Sequence, residues 1–196
     1  MNTSIVDLLE AYPIPEQETT PDYKIYCDMD GVLTDFETRF LTKLYTEGPK
    51  YYSQKDIETI TKPKHFEKLF GMEEFWKFID FHIGVSFWVG MSWMPQGENL
   101  WNFIKKYNPE LLTSPSRNNT SRLGKNLWVR NNLNPKPKVN FAYSADKQRY
   151  ASPNNILIDD KKSNIEEWQA AGGIAFRVIG GDIQPAIQGL KELGYV

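Results

Sequence analysis

Short apolar runs alternate with amphipathic stretches along most of the chain. The runs predicted as strands are YKIYC (23–27), ELLTS (110–114), KVNFAYS (138–144), NNILIDD (154–160) and IAFRVIG (174–180). Apolar residues recur every three to four positions, the spacing of helices, in the stretches 98–107, 120–133, 163–173 and 184–194. Strands that alternate with helices predict an α/β fold with a parallel sheet and helices on both faces. The helix at 163–173 is expected to begin at a Ser163/Asn164 cap and to end at Gly172-Gly173.

The stretch from Phe36 to Met94 differs, because no strand-like run interrupts its helical spacing. An insertion of about 55–60 residues is too long for an ordinary connection. It would lie beside the carboxyl end of the first strand, where open α/β sheets bind ligands. We therefore expect a helical cap over a ligand site. The predicted division is an N-terminal lead-in (1–22), an α/β core domain (23–36 and 95–196) and a helical cap (37–94).

Composition narrows the class of protein. The 196 residues are 40% hydrophobic, which is enough for a core, and the net charge of −2 argues against a nucleic-acid or anionic-membrane surface. One cysteine and two histidines exclude a disulfide framework and leave little for a zinc site. No stretch reaches the ~20 apolar residues of a membrane helix, and no secretory signal pattern opens the sequence. We expect a cytoplasmic protein without membrane contacts.

Two pairs of carboxylates follow predicted strands. Asp28 and Asp30 lie in DMDG after the first, and Asp159 and Asp160 end the fourth. The carboxyl ends of parallel strands meet at one edge, where clustered carboxylates raise each other's pKa unless a cation neutralises them. Oxygen ligands without His or Cys favour Mg²⁺. Turn residues would explain one such pair but explain two pairs poorly.

Thr113 and Lys147 lie at the ends of two further predicted strands. Taken singly, the threonine could cap a turn and the lysine could be a solvated loop residue. A hydroxyl and an ammonium at the same edge as the carboxylates are, however, donors suited to phosphate oxygens. Together these residues predict a site for phosphoryl chemistry.

Four segments in this order resemble the successive signatures of the haloacid dehalogenase-like (HAD) phosphohydrolases: DMDGVLTDF, LLTSP, the lysine of ADKQRY, and ILIDDKKSNIEEWQAAGGIAF. Within that superfamily the chain most resembles the 5'(3')-deoxyribonucleotidases, between Lys24 and Val178. Response-regulator receiver domains also use Asp, Thr and Lys at strand ends, but in them an adjacent acidic pair comes first and a single phosphorylated Asp later. Here the DxD of Asp28 and Asp30 comes first and the adjacent pair Asp159-Asp160 comes last. The resemblance implies a HAD-like Rossmannoid sheet with a small cap, and Mg²⁺-dependent hydrolysis of (deoxy)nucleoside monophosphates.

The resemblance also implies catalytic roles at the matched positions. Asp28 would attack phosphorus and carry a phosphoaspartate, and Asp30 would protonate the leaving oxygen and then activate water. Gly31 would let the backbone turn so that its amides face the phosphate. Thr113 and Lys147 would bind the transferring oxygens.

For the metal, the resemblance implies Asp28, the Asp30 carbonyl and Asp160 as Mg²⁺ ligands. Asp159 would then act through water or orient the other ligands. Sequence alone does not separate two adjacent carboxylates, so the division between Asp159 and Asp160 stays open.

The resemblance further implies a base and sugar held between cap and core. The residues at matched positions are Phe36, Phe87, Trp88 and Val89 for the pocket, and Ser114 and Lys125 near the phosphate. Aromatic stacking tolerates different bases, although aromatic residues in a helical insertion more often form its core. The segment FWVGMSWMPQG departs from the family pattern at Trp88, where phenylalanine is common, and at Gln96. Base preference and discrimination between deoxyribose and ribose therefore stay open.

Two alternatives remain. The same chemistry could act on a sugar phosphate or on a polynucleotide 3'-phosphate, although the net charge of −2 weighs against stable nucleic-acid binding. A non-catalytic nucleotide-binding module would be expected to lack one of the catalytic residues, and none is missing. We expect a small-molecule nucleoside monophosphate as the partner, and the sequence decides neither for nor against a homodimer.

Overall fold

The protein is described here from a computed structural model, over residues 22–196. Its central sheet has five parallel strands in the order β3-β2-β1-β4-β5. The strands are β1 (Lys24–Cys27), β2 (Glu110–Thr113), β3 (Val139–Phe141), β4 (Asn155–Asp159) and β5 (Ile174–Arg177). The α/β prediction is confirmed. Apart from Asp22, the predicted lead-in (1–22) lies outside the described residues.

Helices flank the sheet and fill the connection between β1 and β2. The helices of the described residues are α1 (Phe36–Glu47), α2 (Gln54–Glu58), α3 (Pro63–Phe70), α4 (Met72–Lys77), α5 (Val85–Val89), α6 (Gly97–Ile104), α7 (Asn119–Asn132), α8 (Lys162–Ala170) and α9 (Gln184–Glu192). A π-helical turn (Phe78–Ile83) joins α4 to the segment before α5. Within residues 22–196, every helix is too short or too polar to cross a lipid bilayer.

The order of the strands determines which side chains meet. Strand β1 lies between β2 and β4, with Cys27 paired to Leu111 on one side and to Ile158 on the other. Both β1 and β4 are apolar runs buried on both faces, as parallel strands covered by helices require. The residues that follow these three strands therefore lie side by side at the carboxyl edge of the sheet.

The helical segment between β1 and β2, residues 36–94, has an aromatic core. The rings of Phe40, Phe66, Phe75 and Phe78 pack with centroid separations from 4.9 to 6.1 Å. Such edge-to-face and tilted contacts add to the area that each ring buries. The guanidinium of Arg39 donates to the carbonyls of Ser86 (2.6 Å) and Phe87 (3.0 Å), which joins α1 to α5. Phe, Trp and Tyr make up 14% of the sequence, and packing of this kind explains much of that aromatic content.

This segment is fixed to the core through α5 and α7. At Gly124 of α7 an added Cβ would lie 2.4 Å from Cβ of Trp88, so only glycine permits this approach of the two helices. The indole of Trp128 also donates to the carbonyl of Met91 at 2.8 Å. These contacts place the helical segment beside the carboxyl edge of β1 and β2.

Two local predictions need correction. The strand predicted at 138–144 ends at Phe141, and residues Ser144–Tyr150 form a 3₁₀ helix that carries Lys147. Helix α8 begins at Lys162 without a side-chain cap, so the predicted Ser163/Asn164 cap is wrong. Asn164 instead turns its amide toward Asp159. The predicted end of this helix is confirmed, because Gly172 follows it with φ +87°.

Candidate active site

A buried lysine joins two of the carboxylates at the edge of the sheet. Nζ of Lys147 lies 2.9 Å from Oδ2 of Asp28 and donates to Oδ2 of Asp159 at 2.7 Å. The lysine is 1% exposed, and Asp159 is fully buried. Oδ1 of Asp28 accepts from the backbone N–H of Met29 at 2.7 Å. The carboxylate of Asp28 is therefore held from both sides.

A second buried lysine holds Asp30. Nζ of Lys125 donates to Oδ2 of Asp30 (2.7 Å), to Oγ1 of Thr113 (2.8 Å) and to the carbonyl of Ser114 (2.9 Å). These contacts use all three ammonium hydrogens of a side chain that is fully buried. The other oxygen of Asp30 accepts from Oγ1 of Thr34 at 3.0 Å. Lys125 thus links the carboxylate of Asp30 to the hydroxyl of Thr113.

Gly31 and Asp160 are in close contact. Gly31 has φ +80°, and an added Cβ would lie 2.5 Å from Oδ2 of Asp160. Its N–H donates to the carbonyl of Thr34 at 2.8 Å, so this amide closes the turn rather than facing a phosphate. The tight turn therefore leaves space over the loop for the carboxylate of Asp160.

Three carboxylates form a set that fits a divalent cation. Ligand oxygens of Asp28, Asp159 and Asp160 all lie within 4.8 Å of one another. Burial, followed by the charges of Asp28 and Asp159, raises the pKa of Asp160 to about 7. Burial and Asp28 also raise the pKa of Asp159. Only oxygen donors are present in this set, as Mg²⁺ prefers. The repulsion among them is what a bound cation would relieve.

Lys147 supplies part of the compensating charge. Burial alone would lower the pKa of this lysine, but the charges of Asp28 and Asp159 outweigh it and raise the pKa above its ordinary value. Lys147 therefore carries a positive charge at neutral pH. One positive charge among three carboxylates still leaves net negative charge at this edge.

The two adjacent aspartates differ in their hydrogen bonds. Asp159 accepts from the backbone N–H of Lys161 at 2.9 Å, and the amide of Asn164 lies 2.9 Å from both of its oxygens. With Lys147, these donors occupy both carboxylate oxygens of Asp159. The carboxylate of Asp160 accepts from no side chain among residues 22–196. Its lone pairs are thus available to a ligand.

Asn164 and Thr34 are partners of the site that the sequence pattern does not predict. The pattern predicts Asn164 as a helix cap; the signal that could have identified its contact with Asp159 is its place in the first helical turn after Asp159-Asp160. Thr34 lies four residues after Asp30, on the same tight turn. Neither residue type carries chemistry of its own, so only the three-dimensional contacts reveal them.

The predicted base-pocket residues lie together near the junction of α1 and α5. The half-buried ring of Phe36 has its centroid 5.3 Å from that of Phe87 and 5.9 Å from that of Trp88. Phe87 is fully buried and Trp88 is 1% exposed, so packing accounts for both. Val89 is partly exposed at the end of α5. Of the three aromatic residues, Phe36 is the one that is only partly buried.

Ser114 and Lys125 also lie at the carboxyl edge of the sheet, and Trp88 lies over the lysine. Nζ of Lys125 is 5.2 Å from the centroid of the Trp88 ring, a cation–π distance. The structure thus brings the predicted catalytic and metal residues to one edge and the aromatic residues next to it. It directs Lys125 to Asp30 rather than to open space.

No protein-family model matches the sequence, and no curated protein matches it significantly. Solved structures do. A hydrolase from Streptococcus pneumoniae TIGR4 is 17% identical, with a TM-score of 0.52 over 87% of this chain and 99% of that chain. A predicted phosphatase from Clostridium acetobutylicum is 14% identical, with a TM-score of 0.52 over 88% and 91%.

A HAD hydrolase from Entamoeba histolytica HM-1:IMSS is 16% identical, covers 81% of this chain and 84% of that chain, and has a lower TM-score of 0.47. At these identities the similarity concerns the fold. The chain therefore has the parallel α/β fold with flanking helices of the two hydrolases first described.

Proposed function

We propose that this protein is a HAD-type, Mg²⁺-dependent phosphomonoesterase that hydrolyses (deoxy)nucleoside monophosphates through a phosphoaspartate. The observation that carries the proposal is the convergence of five residues at one sheet edge. They are Asp28, Asp30, Thr113 and Lys147, which hydrogen bonds or ion pairs hold in place, and Asp160, whose carboxylate no side chain of residues 22–196 engages. The fold shared with a hydrolase and a phosphatase supports the same reaction class. The predicted division into core and cap is retained as part of the proposal.

Asp28 is the nucleophile in this scheme. Its carboxylate oxygen attacks phosphorus, the bond from phosphorus to the nucleoside oxygen breaks, and Asp30 gives that oxygen a proton. Water then attacks the phosphoaspartate and gives a proton to Asp30, and inorganic phosphate leaves Asp28. The contacts of Asp28 with Lys147 and the Met29 N–H support this role by fixing the direction of attack.

Thr113 and Lys147 bind the transferring phosphoryl oxygens. Because the hydroxyl oxygen of Thr113 accepts from Lys125, its own hydrogen is directed elsewhere and finds no acceptor among residues 22–196. Lys147 uses two hydrogens on carboxylates and keeps a third. Preorganised donors of this kind stabilise the charge that develops in the transition state. Lys125, predicted to lie near the phosphate, holds Asp30 and Thr113 in register.

The proposed Mg²⁺ ligands are the carboxylates of Asp28 and Asp160 and the carbonyl of Asp30. Asp160 is favoured over Asp159 because the oxygens of Asp159 are already occupied by Lys147, Lys161 and Asn164. When bound, the cation would neutralise phosphate charge and polarise phosphorus toward attack. Asp159 then orients Lys147 by accepting a hydrogen bond from its ammonium group.

A nucleoside is the proposed leaving group because a cluster of aromatic side chains lies beside the site. Phe36 stands half-buried at the edge of a cluster that includes Phe87 and Trp88. Stacking of a base on one such ring is worth about 1–3 kcal/mol and depends little on the base. Ser114, next to Thr113, is the proposed phosphate neighbour, and Val89 completes the pocket.

Phosphate release from a panel of substrates tests the proposal. The panel contains 5'- and 3'-nucleoside monophosphates of ribose and deoxyribose, sugar phosphates and an oligonucleotide with a 3'-phosphate. We expect Mg²⁺-dependent release from nucleoside monophosphates, and none after chelation. Preferred hydrolysis of a sugar phosphate or of the oligonucleotide would overturn the substrate, and no release from any member would overturn the activity.

Two variants sharpen this screen. Asp28→Asn keeps the shape of the nucleophile and removes its charge, so turnover is expected to vanish while the fold persists. Phe36→Ala is expected to raise KM for nucleoside monophosphates about tenfold or more, as loss of one stacking contact implies. The same variant leaves KM for p-nitrophenyl phosphate nearly unchanged if Phe36 contacts the base. An equal rise for both substrates would contradict the base pocket.

A further inference from the structure

A buried carboxylate outside the catalytic cluster joins the helical segment to the core. Asp80 lies in the π-helical turn Phe78–Ile83 and is 5% exposed. Burial raises the pKa of Asp80, while the hydroxyl groups of Ser116 and Thr120 lower it. No lysine or arginine is paired with it among residues 22–196. A buried carboxylate is costly unless strong hydrogen bonds compensate, so its partners reveal what it does.

Its partners belong to the loop and helix that follow β2. Oδ1 of Asp80 accepts from Oγ of Ser116 at 3.0 Å and from Oγ1 of Thr120 at 2.9 Å. Ser116 also accepts from the backbone N–H of Asn118, the N-cap residue of α7. One carboxylate oxygen therefore holds both sides of the turn that begins α7. A negative charge is favourable at this end of a helix.

That turn connects directly to the catalytic edge. Ser116 lies two residues after Ser114, and α7 carries Lys125 five residues beyond Thr120. Lys125 in turn contacts Asp30 and Thr113. A displacement of the first turn of α7 would thus move the ammonium of Lys125. That ammonium positions both Asp30, the proposed acid/base, and the hydroxyl of Thr113, the proposed hydrogen-bond donor to the phosphate.

A third contact comes from α5. The indole N–H of Trp88 is buried and approaches Asp80 without reaching hydrogen-bond geometry, although it contributes to lowering the pKa of that carboxyl. Trp88 also packs against Gly124 of α7. Asp80 therefore lies where three elements meet: the π-helical turn, α5 and the start of α7.

We propose that Asp80 is a positioning residue, which fixes the start of α7 against the helical segment and so sets Lys125 relative to Asp30 and Thr113. This inference rests on the proposed phosphatase function. Asp80 itself touches neither substrate nor the reacting atoms. The hydroxyl groups of Ser116 and Thr120 are its two points of contact with the core.

Three variants test the role. Asp80→Ala removes the acceptor, whereas Asp80→Asn keeps an oxygen that accepts from both hydroxyl groups. Glu74→Ala is the matched control, because Glu74 accepts from Tyr52 (3.0 Å) and Lys77 (3.1 Å) of the same helical segment and, within residues 22–196, has no hydrogen bond or ion pair to α7. The control reports what a general loosening of the segment does to activity.

We measure kcat and KM with p-nitrophenyl phosphate and with the best nucleoside monophosphate, and melting temperature in parallel. For Asp80→Ala, kcat/KM is expected to fall about tenfold or more for both substrates, because misplaced groups act on the shared phosphate. Asp80→Asn is expected to stay within about threefold of wild type, since the acceptor is kept. Glu74→Ala is expected to lower the melting temperature and leave kcat/KM within about threefold.

Equal losses in Asp80→Ala and Glu74→Ala, or equal losses in Asp80→Ala and Asp80→Asn, would overturn the positioning role. If Asp80→Ala does not fold, the double variant Ser116→Ala/Thr120→Val, which removes the donors instead, is expected to show the same loss of kcat/KM. Wild-type activity in that variant would also overturn it.

Amide hydrogen exchange separates this inference from the proposed function. If wild-type protein hydrolyses no member of the substrate panel, the proposed function fails, and the structural link is then decided by exchange alone. Residues 114–121 are expected to lose protection in the Asp80→Ala protein and to keep it in the Glu74→Ala protein. Unchanged protection of residues 114–121 in Asp80→Ala would refute the link.

Discussion

Replacing Gly31 with alanine tests the placement of Asp160 over the loop after β1. The new methyl group would lie 2.5 Å from Oδ2 and 2.7 Å from Cγ of Asp160, far inside van der Waals contact. Gly31 also has φ +80°, where an L-residue costs about 1–2 kcal/mol. The substitution therefore combines backbone strain with a clash against one proposed metal ligand.

Gly172→Ala separates these two effects. Gly172 has φ +87°, close to that of Gly31, but an added Cβ meets nothing within 4 Å. The control therefore carries the backbone strain alone. At about 2–4 °C per kcal/mol for a protein of this size, strain of about 1–2 kcal/mol lowers the melting temperature by roughly 2–8 °C in either variant.

The clash acts mainly on function, because a short carboxylate side chain can rotate away from a new methyl group. Asp160 then leaves the cation-binding set, and loss of its orientation is expected to weaken Mg²⁺ binding about 10–100-fold. Calorimetric titration with Mg²⁺ and measurement of kcat at saturating Mg²⁺ provide the assay. Gly31→Ala is expected to lower both the Mg²⁺ affinity and kcat, and Gly172→Ala is expected to lower neither.

Two results would refute this reasoning. Wild-type Mg²⁺ affinity in Gly31→Ala would mean that Asp160 does not hold the cation. An equal loss of affinity in Gly172→Ala would mean that general destabilisation, rather than the clash, accounts for the effect.

Three further predictions concern the support of the site. Lys125→Met leaves Asp30 without its counter-charge. Breaking a buried ion pair lowers the free energy of unfolding, and the low end of that range, about 3 kcal/mol, applies because the Asp30 side chain is 28% exposed. The melting temperature is therefore expected to fall by roughly 6–12 °C. Wild-type stability and kcat in this variant would contradict the link between Asp30 and Thr113. Without Mg²⁺, the raised pKa of Asp160 means that the folded protein keeps a proton that the unfolded chain has lost. Through Asp160, stability is therefore expected to fall as pH rises from about 4 to 7, by at most about 1.4 kcal/mol per pH unit, and Asp160→Asn is expected to make the slope in thermal melts shallower. Asn164→Leu removes the amide from Asp159 and is expected to lower kcat about 10–100-fold, and an unchanged kcat would show that Asp159 needs no such support.

The fold was predictable because its signals are local. Each buried strand is a short apolar run, and the connections from β2 to β3 and from β4 to β5 each hold a helix with regular spacing. The position of β1 at the centre of the sheet was not predictable in the same way, since strand order depends on which faces pack together. The boundaries of β3 were also wrong, because nothing in KVNFAYS marks where pairing with β2 ends.

The candidate site was predictable where chemistry and strand ends coincide. Asp28, Thr113 and Asp159 follow adjacent strands, so parallel topology alone brings them together. The partner of Lys125 was not predictable, because a lysine on a helix reaches whichever anion the packing of that helix presents. Asp80 gave no signal at all, since its two partners lie 36 and 40 residues away in the sequence.

Detection of a phosphoryl group on Asp28 tests the central claim most directly. In the Asp30→Asn protein, p-nitrophenyl phosphate still loses its leaving group without a proton, but hydrolysis of the phosphoaspartate lacks its base. With Mg²⁺ present, rapid quenching and peptide mass spectrometry are therefore expected to find phosphate accumulated on Asp28 and none in Asp28→Asn/Asp30→Asn. Steady release of p-nitrophenol with Asp28 unmodified, or phosphate on another residue, would contradict the account.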